Sequence, residues 1–299
     1  MHVLITGGSG FIGQALCPLL LEAGHELTVL TRDPTRSAGY LPAHVQLVER
    51  LDLVQRCDAV VNLAGEPLAA GRWSDSRKQA FRDSRIGTTD ELLQWIQRQP
   101  AEQRPRTLVS GSAIGYYGPH EDTALHEDTP AGSDFSAHLC RDWEAAACGA
   151  EALGLRVAIV RIGVVLDAGG GALAKMLPPF KLGAGGPMGT GLQWMSWVHR
   201  HDLVRLILWL LENEHAHGPY NGTAPAPTRN AQFASALGQA LGRPALIRTP
   251  ALALKLMFGE MSTLLLTGQR VLPRRALSEG FEFAYPDLQL ALKEIVSKA

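Results

Sequence analysis

Thr6-Gly7-Gly8-Ser9-Gly10-Phe11-Ile12-Gly13 follows the short apolar run His2-Val3-Leu4-Ile5 and leads into a stretch, Phe11 to Ala23, with helical character. A strand that turns through glycine into a helix leaves backbone N–H groups free at the helix N-terminus, where the positive end of the helix dipole attracts an anion. Gly7 permits the tight turn, Gly10 lets a ligand approach the backbone, and Gly13 lets the helix lie close to the strand. Gly7, Gly10, Phe11, Ile12 and Gly13 are therefore expected to hold the pyrophosphate of a dinucleotide. A glycine turn with no ligand is the alternative, since such turns also join strands to helices structurally. Arg32 lies 19 residues after Gly13, where a dinucleotide fold chooses between a carboxylate for a ribose 2′-hydroxyl and an arginine for a 2′-phosphate. Its guanidinium can grip a phosphate bidentately while Thr31 leaves room, which favours NADP(H). Asp33 competes, because a one-residue shift of the turn presents its carboxylate instead.

These groups need elements that bring strand ends together. Gly24 stops the first helix, and Glu26 to Thr31 reads as a second strand. Val45 to Val48 and Ala59 to Leu63 follow, near-continuously apolar as parallel strands covered on both faces are. Thr107 to Ser110 is a fifth strand and Val157 to Arg161 a sixth. Between them fall helical stretches, Ser74 to Gln97 and Phe135 to Leu153, the latter opened by Ser133 or Asp134 and closed by Gly154. The alternation predicts an α/β fold: a Rossmann-type doubly wound parallel sheet, mainly residues 1–166, with a smaller C-terminal substrate or lid region, 167–299, some of whose elements return to the sheet. Gly169-Gly170-Gly171 and Gly183 to Gly191 are too rich in glycine for regular structure and read as a substrate lid or as a connecting loop. Asp202 to Asn213 and Ala231 to Leu241 look helical, and the apolar face of Ala251 to Leu266 is expected to dock within the fold.

With 28 basic and 29 acidic residues in 299 and no basic run, neither a nucleic acid nor a membrane is the expected partner. A small molecule is. Hydrophobic residues, 46% of the chain, suffice for a large core. Cys17, Cys57, Cys140 and Cys148 lack C-x-x-C spacing, so buried free thiols are expected, with no disulfide framework and no metal site. The first strand starts almost at the first residue, without a charged leader, and no apolar run reaches the roughly 18 residues that span a bilayer, so a soluble cytoplasmic protein is expected.

The G-x-x-G-x-x-G spacing after Thr6 resembles that of short-chain dehydrogenases and their extended relatives. The resemblance continues through Asn62-Leu63-Ala64-Gly65-Glu66-Pro67, Arg72-Trp73, Ser84-Arg85, Ser112 to Gly118, Cys140-Arg141-Asp142-Trp143-Glu144 and Arg161 to Leu166. It extends to Gly185-Gly186-Pro187, Gln193-Trp194, Tyr220 to Pro225 and Gly268 to Pro273. On these marks the chain is identified as a member of a divergent, atypical branch of the extended short-chain dehydrogenase/reductases. This is the NAD-dependent epimerase/dehydratase-like family of the SDR39U1 and YfcH type, which carries a C-terminal domain of unknown function, here from about Thr249.

The resemblance implies that Leu63, Ala64 and Gly65 border the cofactor beside its adenine ribose and diphosphate, that Arg85 reaches it from the following helix, and that Ser110 and Val164 border it too, Val164 at its nicotinamide end. Ser112 matches a serine that hydrogen-bonds the reacting oxygen. The superfamily's Tyr-x-x-x-Lys pair is missing: aligning Glu144 puts Ser136 at the tyrosine position and Cys140 at the lysine position. A serine is too weak an acid near neutral pH, and a thiol with a pKa of about 8.5 carries no positive charge. Tyr116 or Tyr117 can replace the acid or be a structural aromatic, and Cys140 can be a catalytic thiol or a core residue. His199 and His201 resemble a stretch whose Asp, here Asp202, is mainly structural; they serve the fold or act as an acid/base pair. Ser112 and Tyr116 are thus the catalytic candidates. The implied function is an NADP(H)-dependent oxidoreductase or epimerase acting on a small polar metabolite, a nucleotide sugar among the candidates, with Arg161, Gln193 and Trp194 lining the pocket. The alternative is a non-catalytic NADP(H)-binding redox sensor. Oligomeric state is not encoded in any of these features.

Overall fold

Alternation along each central strand dictates a sheet with two covered faces. In the computed structural model, which describes residues 1–298, Val3 and Ile5 pack to one side with Val29, Val61 and Val109, while Leu4, Val60 and Leu108 pack to the other. The strands are β1 (His2–Thr6), β2 (Glu26–Leu30), β3 (Gln46–Val48), β4 (Ala59–Asn62), β5 (Thr107–Ala113), β6 (Arg156–Ile162) and β7 (Gly218–Gly222). All pair in parallel, in the order β7-β6-β5-β4-β1-β2-β3. The chain runs outward from β1 in both directions, so the order reverses between β1 and β4 and opens a crevice at their C-terminal ends.

Leu16, Cys17 and Leu20 of α1 (Gly13–Glu22) cover the first face, while Leu92, Trp95 and Ile96 help cover the second. The stretch expected as one helix from Ser74 is α2 (Asp75–Arg82), a π-helical turn (Asp83–Gly87) and α3 (Thr88–Arg98). Asp134 caps α4 (Phe135–Cys148), its carboxylate accepting from the Ala137 N–H at 2.8 Å. A 3-10 turn (Gly149–Leu153) then tightens the expected helix before Gly154, at φ +89°, ends it.

Beyond Leu166, α5 (Gly171–Lys181) stands between the two glycine-rich stretches, and α6 (Arg200–Glu212) joins α1 on the first face of the sheet. The seventh strand was not anticipated, because Gly218-Pro219-Tyr220-Asn221-Gly222 offers one large apolar side chain and a proline. It is an edge strand, where a missing N–H is tolerated. A separate apolar cluster joins α5, α7 (Asn230–Leu241) and α9 (Leu288–Ser297) through Leu173, Phe180, Phe233, Leu237 and Leu292.

The expectation that Ala251 to Leu266 docks its apolar face inside the fold is corrected here. Leu254 and Met261 are buried, but Leu252, Leu256 and Met257 of α8 (Ala251–Phe258) are exposed. The helix has apolar residues nearly all round, and its packing covers Leu254 but leaves Leu252, Leu256 and Met257 open. All four cysteines are free, Cys148 half-buried and the others buried, and no cluster of metal-ligating groups exists among the described residues. No helix among them is long and apolar enough to cross a membrane.

Candidate functional site

The turn after β1 is set by backbone geometry. Gly7 has φ +70°, and a Cβ there would lie 2.5 Å from the Leu63 carbonyl oxygen, so the turn admits only glycine. A Cβ on Gly13 would lie 2.4 Å from the Gly8 Cα, which is how closely α1 approaches the turn. Gly8 was not singled out from the sequence, yet it is buried against Val29. The Gly10 N–H turns back to the Gly7 carbonyl at 2.9 Å. Those of Phe11, Ile12 and Gly13 find no acceptor among the described residues, which leaves three donors at the N-terminus of α1. Phe11 is covered from the far side: a Cβ on Gly170 would lie 2.5 Å from its ring, and the Arg200 guanidinium lies 5.0 Å from the ring centre. The first glycine-rich stretch therefore closes against the dinucleotide turn.

Thr31 and Arg32 come directly after β2. Thr31 is buried, its hydroxyl 2.9 Å from that of Ser37. Arg32 is exposed and its guanidinium is unpaired among the described residues. The competing Asp33 is already engaged, its carboxylate accepting from the Arg36 N–H at 2.9 Å as the cap of the turn Pro34–Ser37. Arg36 itself, four residues after Arg32, is a second exposed guanidinium, unpaired among the described residues; its spacing from Arg32 was the available signal.

A buried relay fixes the next wall. The Thr6 hydroxyl donates to Asn62 Oδ1 at 2.5 Å, Asn62 Nδ2 to the Thr89 hydroxyl at 2.9 Å, and that hydroxyl to the Arg85 carbonyl at 2.7 Å. It ties the ends of β1 and β4 to the π-helical turn, a distortion often found at functional sites. Leu63, Ala64 and Gly65 emerge beside it, and a Cβ on Gly65 would lie 3.0 Å from Arg85 Cζ. Arg85 donates to the Glu66 carbonyl at 2.8 Å and lies 5.3 Å from the centre of the Trp143 ring.

The structure brings Ser112 together with an ionised pair. Its hydroxyl donates to Glu144 Oε1 at 2.6 Å, and both Glu144 oxygens accept from Arg161, Nε and Nη2 each at 2.9 Å. Ser112 and Arg161 are 2% and 3% exposed, Glu144 8%. Arg161 Nη1 donates to the Tyr117 hydroxyl and to the Glu127 carbonyl, both at 3.0 Å, and Tyr117 donates to Asn221 Oδ1 at 2.7 Å. Burial opposes the Arg161 charge, but the Glu144 hydrogen bonds and charge outweigh it and raise its pKa. Burial likewise pushes the Tyr117 phenol up to about 12 despite the nearby Arg161. Tyr116 differs: half-buried, its ring lies 3.5 Å from Arg161 Cζ and its hydroxyl has no partner among the described residues.

The remaining predicted residues are placed as follows. Ser110 is buried with its hydroxyl on the Gly111 carbonyl at 3.3 Å, and Val164 is half-buried in a short strand (Val164–Leu166) paired with Trp197–His199. Ser136 and Cys140 are both buried on α4, and burial pushes the Cys140 thiol up to about 12, which removes thiolate chemistry at neutral pH. Gln193 Nε2 is held by the Met188 and Leu265 carbonyls, and Trp194 lies between Arg229 and Arg270 with its indole N–H on Asp122. Arg161 is thus drawn away from Gln193 and Trp194 into the ion pair. His199 Nδ1 accepts from the His201 N–H and Nε2 pairs with Glu294 at 3.1 Å, while Asp202 accepts from the Ala284 and Tyr285 N–H groups. These contacts tie His199 and Asp202 into the fold.

Residues 3–221 match the model of a family described as the NAD dependent epimerase/dehydratase family, and residues 249–295 match a domain of unknown function, DUF1731. An Arabidopsis thaliana relative, "Epimerase family protein SDR39U1 homolog, chloroplastic", is 44% identical over 99% of this chain and 87% of its own length. The crystal structure of human epimerase family protein SDR39U1 (isoform 2) with NADPH is similar at a TM-score of 0.90 and 39% identity, covering 100% of both chains. A UDP-galactose 4-epimerase structure, at TM-score 0.77, 20% identity and coverage of 100% of this chain and 99% of its own, shares the fold.

Proposed function

The chain belongs to the NAD-dependent epimerase/dehydratase family, and from that premise we propose that it binds NADP(H) and is an oxidoreductase or epimerase acting on a small polar metabolite. The observation that carries the cofactor is the pairing of three free N–H donors on α1 with the unpaired Arg32 beyond β2, while Asp33 is held as a cap. The human relative crystallised with NADPH supports the same choice. Gly10, Phe11, Ile12 and Gly13 would hold the pyrophosphate, Arg32 the 2′-phosphate, and Leu63, Ala64 and Gly65 the wall beside it, with Ser110 and Val164 farther along. The bound cofactor supplies a hydride donor or acceptor.

Tyr116 is the proposed proton donor, because its hydroxyl is the one beside Arg161 that no other group engages. Ser112 orients rather than titrates: its proton is committed to Glu144, so it meets a ligand as a hydrogen-bond acceptor. The test is NADPH oxidation against pools of polar metabolites, with Tyr116→Phe. Turnover that the variant loses by about 100-fold or more with NADPH affinity unchanged supports the proposal; turnover retained by Tyr116→Phe refutes Tyr116 as the donor.

One observation favours the second reading, a non-catalytic NADP(H)-binding redox sensor. Ser112, Glu144 and Arg161 satisfy one another's hydrogen bonds, as a purely structural network does. No oxidation by any pool, together with tight NADPH binding, selects that reading.

A further inference from the structure

Arg85 is a cation without an anion. Its guanidinium donates to the Glu66 and Phe81 carbonyls and to the Ser84 hydroxyl, all neutral acceptors, and it forms no ion pair among the described residues. Glu66 acts on it only through space. Burial lowers its pKa, an effect only partly offset by the Cys140 thiol and Glu66, which places the charge in a poorly solvated pocket beside the lysine position. The pocket holds a second ungratified group: Trp143, 6% exposed, has an indole N–H with no acceptor among the described residues, and a Cβ on Gly111 would lie 3.3 Å from its ring. The relay from Thr6 through Asn62 and Thr89 to the Arg85 carbonyl anchors the turn that carries the charge, so it cannot swing away without breaking buried hydrogen bonds.

This rests on the NADP(H) reading. In a doubly wound sheet the dinucleotide lies across the reversal of strand order. With Arg32 at the β2 end and the pyrophosphate on α1, the nicotinamide half would lie toward the end of β5, where Ser112 stands; Arg85 reaches that side from Gly65, its guanidinium 5.3 Å from the Trp143 ring that packs on Gly111 of β5. The oxidised nicotinamide ring carries a positive charge and the reduced ring carries none. We propose that Arg85, anchored and unpaired beside Gly65, makes this site select the reduced dinucleotide over the oxidised one. One unit of charge across a partly buried site produces a discrimination of about tenfold. By linkage, that raises the potential of the bound couple by about 30 mV.

The experiment titrates purified full-length protein with NADPH and with NADP+, following tryptophan fluorescence or heat. The wild-type protein and the Arg85→Lys, Arg85→Gln and Arg32→Ala variants are compared, each checked for folding by circular dichroism. Wild type is expected to bind NADPH about tenfold tighter. Arg85→Lys keeps the preference, Arg85→Gln brings the two affinities to within about threefold, and Arg32→Ala weakens both forms while keeping their ratio. Equal affinities in the wild type overturn the proposal even if Arg85→Gln does not fold, as does an unchanged ratio in folded Arg85→Gln; both outcomes leave NADP(H) binding intact. Binding of neither form removes the NADP(H) reading and this proposal with it.

Discussion

Replacing Glu144 by glutamine tests whether the group around Ser112 is an ionised network. The pair is bidentate, with both contacts at 2.9 Å, and nearly inaccessible to water. The amide that replaces the carboxylate offers one acceptor and turns two donors toward a guanidinium and a serine hydroxyl. Arg161 stays charged but loses its counter-charge, keeping the Tyr117 hydroxyl, the Glu127 carbonyl and at most the single amide oxygen. Removing one partner of a buried pair costs about 3–5 kcal/mol, because the remaining charge is left without compensation. For a chain of this size that lowers the melting temperature by roughly 6–10 °C. Urea unfolding followed by tryptophan fluorescence measures the loss, and Trp143 on the same helix as Glu144 reports locally. The paired replacement, Glu144→Leu with Arg161→Met, is expected to cost less than Glu144→Gln alone, since no charge is then stranded. A loss below about 1 kcal/mol for Glu144→Gln, the range of a solvent-exposed pair, refutes the reasoning.

The other expectations concern the cofactor turn and His199. Arg32→Ala and Arg36→Ala each weaken NADPH binding by about 10–100-fold and leave NADH binding unchanged, because a charge-assisted bond to a phosphate is lost; titration with both dinucleotides checks this, and equal weakening of NADH contradicts it. Gly7→Ala forces a Cβ against the Leu63 carbonyl at positive φ, so it costs about 1–3 kcal/mol and abolishes the rise in melting temperature on adding NADPH. His199 is held neutral, its pKa lowered by burial against the pull of Glu294 and Asp202. The folded protein therefore binds fewer protons than the unfolded chain below the unfolded histidine pKa of about 6.5, and stability falls as pH drops through that value, by at most about 1.4 kcal/mol per pH unit. Protonation also removes the Nδ1 acceptor of the His201 N–H. Melting curves between pH 7 and 5 for wild type and His199→Gln test this: the variant's slope is shallower, and identical slopes disprove it. Glu294, lowered in pKa by Lys298 and His199 against its own burial, acts only at lower pH.

How much of this could be read from residues depended on whether the determinant was local. Parallel strands buried on both faces must be apolar almost throughout, so Val3-Leu4-Ile5 and Ala59-Val60-Val61 announced themselves. The φ of Gly7 is likewise a property of one residue. β7 escaped because nothing within five residues distinguishes it; Asn221 is buried there to serve Tyr117 and the Leu272 carbonyl, partners far away in sequence. The same distance hid the engagement of Ser112: residue types suggested a hydroxyl at a strand end, and only the packing of α4 across β5 and β6 put Glu144 and Arg161 against it. For Ala251 to Leu266 periodicity could show an apolar face but not whether anything covers it.

On the proposed reading, the groups around the vacant Tyr and Lys positions would redistribute what that pair does. Cys140 cannot supply a charge, and burial keeps its thiol protonated. The cations present are Arg161, neutralised by Glu144, and Arg85, which is not neutralised. A proton donor must have a hydroxyl free to donate, which Ser112 and Tyr117 lack and Tyr116 retains. On the proposed reading, charge and proton would be carried by residues on two different elements, Arg85 on the π-helical turn and Tyr116 on the turn after β5, instead of four residues apart on one helix. On one helix the two groups keep a fixed separation; on two elements it depends on how the π-helical turn and the β5 turn are held. The Thr6–Asn62–Thr89 relay holds the first and the Glu144–Arg161 pair, under the Tyr116 ring, holds the second. Loosening either should therefore disturb cofactor preference and turnover separately, a decoupling that a single Tyr-x-x-x-Lys helix does not permit.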